Sequence, residues 1–309
     1  MSGPWAGRIF TVAGNGSRAL ATDGALGNET GLSGPIDVFS AVGGDVLIAD
    51  YNLEQHCRIL RVSARDSRVR VLAGSATAES PEWFPSDSPA LSTSLIRVTS
   101  VCQAAHTADV YFSDTQRVIR ITDDARLVVV AGVPPALAGP FYDGGLASQA
   151  SFSSIALMRP GLTPASILLT NLYDGTAYRV DLAADRVFVE AGNLRTASLT
   201  QETAVAALAS RTHLEYPYDV NFDPVSGDIF IAVLASDVVL RVFARDGTAK
   251  VVAGTGFRGN IDGYSAPDAT KVALWHPDCV LPDSSGGLVI CDYRNCLLER
   301  VDLNVRISA

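Results

Sequence analysis

The stretch that decides the fold covers residues 45–74 and reads DVLIADYNLEQHCRILRVSARDSRVRVLAG. It contains an apolar run over 45–49 that ends at Asp50, and two alternating runs over 58–63 and 68–73. Alternation of apolar and polar residues indicates a strand with one buried face, and an unbroken apolar run indicates a strand buried on both faces. Similar phrases return around 114–132, 171–192, 229–254 and 288–301. The sequence is therefore a series of copies of one β-rich module.

Two independent landmarks give the length of the module. Ala-Gly pairs close a β-rich run at 13–14, 73–74, 131–132, 191–192 and 253–254, at spacings of 60, 58, 60 and 62 residues. An arginine followed by valine or isoleucine recurs at spacings of 59, 59, 62 and 59 residues, at Arg61, Arg120, Arg179, Arg241 and Arg300. A fixed period of this kind is typical of repeat architectures in which each copy is one supersecondary unit.

Each copy is predicted to hold four strands, A to D. A tight turn joins strand A to the apolar strand B, strand C carries the recurring arginine, and strand D ends at the Ala-Gly pair. A connector of roughly 20 residues, long for a loop, leads to the next copy. Proline is tolerated at the first position of a strand but not in its middle. Strand A is accordingly predicted to begin near Pro35, Pro160, Pro217 and Pro277, with Val98 in that place in the second copy.

No stretch shows sustained helical periodicity, and four-stranded units too small to bury their own faces predict an all-β fold, a β-propeller. Five blades are expected within a single domain over 1–309, at 15–74, 75–132, 133–192, 193–254 and 255–309. Residues 8–14 repeat a D strand and are expected to complete the fifth blade, which closes the ring and removes an open sheet edge. The alternative is six blades, because residues 305–309 could themselves supply the last D strand.

Composition narrows the classes of partner. Apolar residues make up 48% of the chain, and the net charge is −9. An acidic balance opposes binding to nucleic acid, whose phosphates attract basic patches. No apolar run is long enough for a membrane span, and residues 1–8 lack the apolar centre of a signal peptide. Membrane insertion is therefore not predicted. The compartment stays open, since the chain could be a domain of a longer or secreted protein.

The five cysteines show no tight pairing pattern. Cys57, Cys102, Cys279 and Cys291 lie in or beside predicted strands, and Cys296 follows a short loop. We expect the cysteines to be buried free thiols that behave as small apolar residues. Cys291 and Cys296 are close enough in sequence to be bridged across a loop, but nothing in the sequence requires that bond.

Several phrases of the first repeat resemble the NHL repeat: Val-Ala-Gly-Asn-Gly at 12–16, Asp-Gly at 23–24, Pro-Ile-Asp-Val at 35–38 and Val-Leu-Ile-Ala-Asp at 46–50. The long form of the connector is most similar to the NHL propellers of teneurins and of uncharacterised multidomain proteins. The resemblance covers nearly the whole chain, although Val233 replaces the Asp that ends strand B in repeat four. It implies a propeller, usually of six blades, that serves as a binding platform for protein or RNA, with a lyase branch as the enzymatic exception.

Polar residues recur at the end of strand B, namely Asp50, Asp114, Asn171 and Asp292. Oxygen ligands at such positions could line a channel and bind a cation. A ligand or catalytic group is needed once, whereas these residues return blade after blade, so we interpret them as structural. The same reasoning makes the five recurring arginines ties between strands or blades. No cofactor is predicted, with a channel cation as the alternative.

A catalytic reading has weaker support in the sequence. A zinc site needs about three converging ligands, and the histidines fall in different phases of the repeat, at His56, His106, His213 and His276. Asp37 and Asp219 occupy equivalent strand A positions, with Cys279 at a third. Acid–base chemistry would require one of these carboxylates in a dry pocket with a raised pKa. The competing function is thus a metal-dependent lyase or hydrolase with its site in the central channel.

Strand direction predicts where a partner binds. In a four-stranded meander the D–A connectors and the B–C loops emerge on one face, here called the long-loop face, and the A–B and C–D turns on the other, the short-turn face. Function concentrates on loops carried by a rigid scaffold. The candidate binding residues on the long-loop face are Trp83, Phe84, Phe141, Tyr142, Phe257, Tyr264, His213 and His276. Aromatic anchors are typical of protein interfaces, so we predict a non-catalytic module for a protein or peptide partner. Alternatively, the aromatics pack the connectors against the blades.

Overall fold

A computed structural model of the chain describes residues 10–52, 56–76, 83–104, 108–134, 142–192, 207–259 and 268–303. Five antiparallel sheets follow one another along the chain as a five-bladed β-propeller, which confirms the predicted all-β class and blade number. The helices in these ranges are single 3₁₀ turns, at Gly27–Glu29, Val42–Gly44, Ala147–Gln149, Ala209–Arg211, Ala269–Lys271 and Tyr293–Asn295. None of these turns has the length or apolar character that a membrane span needs.

The strands are numbered in chain order. The first sheet holds β1 (Pro35–Ser40), β2 (Val46–Asp50), β3 (Arg58–Val62) and β4 (Val69–Ala73). The second holds β5 (Ser88–Pro89), β6 (Ser100–Gln103), β7 (Val110–Ser113), β8 (Val118–Ile121) and β9 (Arg126–Ala131). The third holds β10 (Gly145–Leu146), β11 (Ile155–Pro160), β12 (Ser166–Asn171), β13 (Thr176–Asp181) and β14 (Arg186–Gly192). The fourth holds β15 (Ala207–Leu208), β16 (Pro217–Phe222), β17 (Ile229–Val233), β18 (Val238–Val242) and β19 (Thr248–Ala253). The fifth holds β20 (Pro277–Pro282), β21 (Gly287–Asp292) and β22 (Leu297–Asp302).

The first four sheets are meanders in which strands A to D pair in chain order, and the described part of the fifth sheet pairs strands A to C in the same way. The innermost strands β1, β6, β11, β16 and β20 contact one another in succession. Pro35, Pro217 and Pro277 are the first residues of their strands, as predicted. The prediction is wrong for the third repeat, where strand A begins at Ile155 and Pro160 is its last residue. Ile155 pairs with the residue that ends strand B, as Pro35 does in the first sheet, so pairing register and not proline marks this start.

The Ala-Gly period has a steric cause. The alanines end strand D and are at most 1% exposed: Ala73, Ala131, Ala191 and Ala253. The glycine after each of them has φ between 94° and 102°. A Cβ at Gly74 would lie 2.2 Å from the backbone oxygen of Cys57, just before strand C, and the other three copies repeat this approach. Glycine is therefore required at these positions for two reasons: the backbone is left-handed, and there is no room for a Cβ atom.

Four apolar clusters fill the boundaries between consecutive blades. Leu47 and Phe112 belong to the first, Tyr111 and Ile167 to the second, Leu168 and Ile231 to the third, and Phe230 and Ile290 to the fourth. A fifth, smaller cluster joins the other face of the first sheet to residues of its own connector, Ala13, Ala21 and Leu32. The core of the described chain thus lies between sheets, as expected for units that cannot bury their faces alone.

No such cluster of described residues joins the first sheet to the fifth, and side chains on the remaining faces of these two sheets are more exposed to solvent. Val38 of β1 is 62% exposed and Leu298 of β22 is 73% exposed. Residues 10–14 form no strand, and the fifth sheet has three strands among the described residues. The amide of Gly14 donates to the oxygen of Gly27 at 2.8 Å, the bond that Gly74 makes with Ala90 one repeat later. Residues 8, 9 and 304–309 lie outside the described ranges, so closure of the ring by the N-terminal strand stays a prediction.

The cysteine prediction needs a correction. Cys57 and Cys102 are buried free thiols, as expected, but Cys279 and Cys291 form a disulfide. The two residues are directly paired neighbours on β20 and β21, which brings their side chains to the same face of the sheet. Cys296 is free and exposed, so the alternative Cys291–Cys296 bond is not formed.

Candidate functional site

The long-loop face is held together by backbone bonds that join the end of the connector to the B–C loop of the same blade in the first, third, fourth and fifth blades. The amide of Leu172 donates to the oxygen of Ser154 at 2.8 Å, and the amide of Tyr293 to that of His276 at 3.3 Å. Equivalent bonds occur in the first and fourth sheets. These loops are thus fixed next to strand ends, as a rigid binding surface requires.

Exposed aromatic side chains concentrate on this face. Five of the seven exposed aromatics among the described residues lie in B–C loops or in connector ends next to strand ends on this face, and they are 38 to 78% exposed. They are Tyr173, Tyr216, Phe257, Trp275 and Tyr293. The other two are Tyr142, which lies beside the middle of β14 at the outer edge of the third sheet, and Phe10, which precedes the first repeat. The rings of Tyr173 and Tyr216 meet edge to face, with centroids 5.9 Å apart, across the boundary between the third and fourth blades. Such a pair orders both rings in advance of binding.

Two bulky residues on this face have left-handed backbones. Tyr216 and His276 have φ of 54° and 55° and stand at the same place in their repeats, directly before Pro217 and Pro277. Positive φ is uncommon for such side chains and costs energy that the surrounding structure must supply. For His276 part of that support is the bond from its amide to Asp237 Oδ1, at 2.8 Å. Strain of this kind clusters at binding sites, which adds weight to this face as the functional one.

The predicted binding residues fall into three groups. Phe257 is exposed on the long-loop face, and His213 and His276 are partly buried there, whereas Tyr142 is exposed at the outer edge of the third sheet, beside β14. Phe141 and Tyr264 lie outside the described residues. Trp83 and Phe84 pack against the second blade, where the guanidinium of Arg117 lies 4.3 and 4.2 Å from their ring centroids. Phe84 is 6% exposed, which favours for this pair the alternative that the aromatics tuck the connector inward. A binding role stays a prediction for all of them.

The recurring polar residues at the end of strand B accept hydrogen bonds from the start of strand A. Asp50 accepts from the amides of Ser33 and Gly34, at 3.1 and 2.8 Å. Asn171 accepts from Ser154 and Asp292 from Trp275, both at 2.8 Å.

Asp114 differs from these residues, because it accepts from the amide and the guanidinium of Arg117 in its own loop. Burial raises the pKa of Asp114, although Arg117 acts against that rise. All four side chains therefore satisfy backbone or loop donors, which are the contacts that a structural role needs.

The recurring arginines each face an acid of their own blade. Arg61, Arg120, Arg241 and Arg300 lie beside an acid in or after the A–B turn, and their partners are Asp45, Asp109, Asp228 and Asp283. In the third blade Ala165 occupies the place of that acid, and Arg179 pairs with Glu190 of strand D at 2.7 Å. The pairs are partly exposed, so each adds little stability alone. They are ties between strands of one blade, and the predicted structural role fits this geometry.

A chain of side-chain bonds runs around the central channel and joins each of the first four blades to the next, and at three of these four boundaries it uses one register position. Asp37 Oδ2 accepts from the amide of Val101 at 3.0 Å, and the hydroxyl of Ser100 accepts from the amide of Met158 at 3.0 Å. Asp219 Oδ2 accepts from the amide of Val280 at 3.1 Å. Between the third and fourth blades the link is the Thr170 hydroxyl, which donates to the oxygen of Tyr218 at 2.8 Å.

The fifth blade carries Cys279 at this position, bonded to its own blade. The amide of Val38 is the first blade's counterpart of the donor amides of Val101, Met158 and Val280, and it donates to Asp37 of the same strand at 2.9 Å. The chain of inter-blade bonds therefore begins at the first blade and ends at the fifth.

Arg159 lies between the two channel carboxylates. Its Nη1 is 3.1 Å from Asp37 Oδ2 and its Nη2 is 3.6 Å from Asp219 Oδ1, and both acids are at most 8% exposed. Burial raises the pKa of Asp219 to about 6, although Arg159 and the Val280 amide oppose the rise. Burial alone would lower the pKa of Arg159, but the two carboxylates outweigh it and raise that pKa. Asp219 is thus a buried carboxylate with a raised pKa, and Arg159 is paired with it.

Comparison with known proteins supports the fold. No protein-family model matches the sequence, and no curated protein matches it. An auxiliary nutrient binding protein from Bacteroides ovatus has a TM-score of 0.60 at 12% identity, over 88% of this chain and 60% of the other. A similar protein from Bacteroides thetaiotaomicron has a TM-score of 0.51 at 10% identity, over 94% and 75%. A chain of a nidogen/laminin complex has a TM-score of 0.54 at 12% identity, over 87% and 76%.

These likenesses lie at identities that show the fold alone. The neighbours are β-propeller proteins, which agrees with the architecture described above. The present chain spans 60% of the length of the Bacteroides ovatus protein. Membership of the NHL-repeat family stays a prediction, because it is supported by sequence resemblance and not by a matching family model.

Proposed function

We propose that this chain is a non-catalytic binding module that holds a protein or peptide partner on its long-loop face. The observation that carries the proposal is the concentration of five exposed aromatic side chains on that one face. Tyrosine and tryptophan are enriched at interfaces because they bury a large area with few rotatable bonds and keep a polar group for hydrogen bonding. We also propose that the repeats belong to the NHL class.

The local geometry suits such a role. The Tyr173–Tyr216 pair and the left-handed positions of Tyr216 and His276 present side chains from fixed backbone, so little freedom would be lost on binding. Pre-organisation of this kind raises affinity by lowering the entropic cost of association. Two of the structural neighbours are an auxiliary nutrient binding protein and a chain of a nidogen/laminin complex. Both names refer to binding of other molecules.

The test begins with selection of peptides from a random library on the immobilised protein, followed by affinity measurements on variants. We expect Tyr216→Ala and Trp275→Ala to weaken binding of a selected peptide by roughly 30-fold, the effect of an interface hot spot. Val225→Ala is the matched control, since this residue is 93% exposed on the short-turn face. Equal binding by the aromatic variants, or loss of binding in the control alone, would contradict the proposal.

The competing function, a lyase or hydrolase in the channel, gains support from one observation, the raised pKa of the buried Asp219. Against it, Arg159 is engaged by both carboxylates and Val280 bonds to the second, so these groups are committed to joining blades. Metal analysis of purified protein whose Cys279–Cys291 disulfide is intact separates the two functions. Stoichiometric calcium or zinc whose removal lowers stability would favour the enzyme.

A further inference from the structure

The disulfide of the fifth blade lies within a group of metal-ligating residues. Cys279 of β20 and Cys291 of β21 are bonded to each other, and Asp278 precedes Cys279. Donor atoms of the three side chains lie within 4.8 Å of one another, and all three residues are partly exposed. Two sulfurs and a carboxylate oxygen on paired strands therefore form a compact, solvent-accessible set.

The chemistry of this set fits zinc once the disulfide is reduced. Zinc is bound by thiolate sulfur at about 2.3 Å and by carboxylate oxygen at about 2.1 Å, in tetrahedral geometry. Ligand atoms in such a site are roughly 3.5 to 3.8 Å apart. Breaking the S–S bond frees the two sulfurs to separate to that distance, and the backbone of two paired strands already holds them face to face. With three protein ligands, the fourth position is left for water or an added donor.

The surroundings also distinguish this blade from the others. Cys279 stands where Asp37 and Asp219 stand in their blades, and those carboxylates bond to the amide of the following blade. Because Cys279 bonds instead to its own blade, its neighbourhood among the described residues is open. Leu298, which pairs with Cys291 on β22, is 73% exposed. Both a reductant and a metal ion can therefore reach the group.

We propose that Asp278, Cys279 and Cys291 form a redox-controlled zinc site. A dithiol reductant transfers two electrons to the disulfide, the S–S bond breaks, and each sulfur gains a proton while the reductant becomes a disulfide. Zinc then binds with release of both thiol protons and is held by two thiolates and the Asp278 carboxylate. In the oxidised chain the sulfurs are bonded to each other and the site is closed. Metal affinity thus depends on pH and on the redox state of the surroundings.

The test uses Co²⁺ as a spectroscopic probe on the complete chain before and after reduction. Reduced protein is expected to bind one Co²⁺ with thiolate-to-cobalt charge-transfer absorption, which an equivalent of Zn²⁺ removes, and oxidised protein is expected to show no such absorption. Asp278→Asn should weaken Co²⁺ binding at least about tenfold, a loss that even outer partners of metal ligands cause. Cys296→Ser is the control, because this exposed thiol lies outside the group.

Two results would overturn the proposal. One is reduced protein without charge-transfer absorption, and the other is unchanged absorption in folded Cys291→Ser protein. Circular dichroism checks that the variant keeps its β content. If it does not fold, the comparison of oxidised and reduced unaltered protein decides the matter alone. Loss of Co²⁺ binding in the Cys296→Ser control would also count against the assignment.

Discussion

Replacement of Arg159 by leucine is the most informative perturbation of the channel. It removes the guanidinium that lies 3.1 Å from Asp37 and 3.6 Å from Asp219, and leaves two carboxylates that are at most 8% exposed. Removing one partner of a buried ion pair costs about 3 to 5 kcal/mol, because the remaining charge is no longer compensated. We expect the free energy of unfolding at pH 7 to fall by that amount.

The loss should shrink in acid. The pKa of Asp219 is already raised to about 6 in the presence of Arg159 and should rise further without it. A folded-state pKa above the unfolded value means that the native state binds the proton more tightly, so stability is present at low pH and lost as pH rises through the folded pKa. The variant should therefore regain stability from pH 7 to pH 5, by up to about 1.4 kcal/mol per pH unit for one proton.

Urea denaturation followed by tryptophan fluorescence at pH 7 and pH 5 measures both effects. Arg300→Leu is the matched control, since its pair with Asp283 is half exposed and should be worth less than about 1 kcal/mol. A triple variant with asparagine at 37 and 219 as well as leucine at 159 should recover most of the loss. A loss below about 1 kcal/mol at pH 7, or a triple variant no more stable than Arg159→Leu, would refute the reasoning.

Three further predictions concern single positions. Asp219→Asn should become more stable relative to the unaltered chain by about 2.4 kcal/mol between pH 4 and pH 7, from the pKa shift of 3.8 to about 6, and parallel urea titrations would show it. Gly74→Ala should lower the melting temperature well beyond Gly247→Ala, because both have positive φ but only Gly74 lacks room for a Cβ. Phe84→Ala should cost about 3 to 5 kcal/mol in chemical denaturation, whereas Phe257→Ala, at a side chain that is 78% exposed, should change the free energy of unfolding by less than about 0.5 kcal/mol.

The repeat itself was predictable because its causes are local. The alternation of strands C and D, the apolar strand B and the Ala-Gly pair all report burial or backbone conformation of nearby residues. Gly74 shows this well, since its left-handed φ and its contact with Cys57 are both needed in each copy. The pairing register of the strands was harder to predict. Pro160 suggested the start of a strand, but the irregular pairing between Ile155 and Met158 places it at the end.

The site was only partly predictable, because its contacts cross from blade to blade. Asp37 and Asp219 were found as equivalent positions, but Arg159 was missed, since it lies in the third repeat, where the Pro-x-Asp phrase is absent. The Cys279–Cys291 bond joins strands A and B of one hairpin, so a register for that hairpin would have suggested it.

Most exposed aromatics of the long-loop face were missed as well. Tyr216 and Trp275 shortly precede a strand A, whereas Tyr173 and Tyr293 shortly follow a strand B. They lie next to strand ends and not within the long connectors for which a binding role was predicted from the sequence. Position relative to the strand boundary was therefore the available signal.

The bonds around the channel have a consequence for how the molecule fluctuates. The amides of Val101, Met158 and Val280 are held by a side chain of the preceding blade, so their exchange with deuterated solvent requires two blades to separate. The amide of Val38 is held by its own neighbour Asp37 and needs only a local motion. The amide of Val38, and that of Val220, which Asp219 of its own strand holds, should therefore exchange faster than the three amides held across a blade boundary.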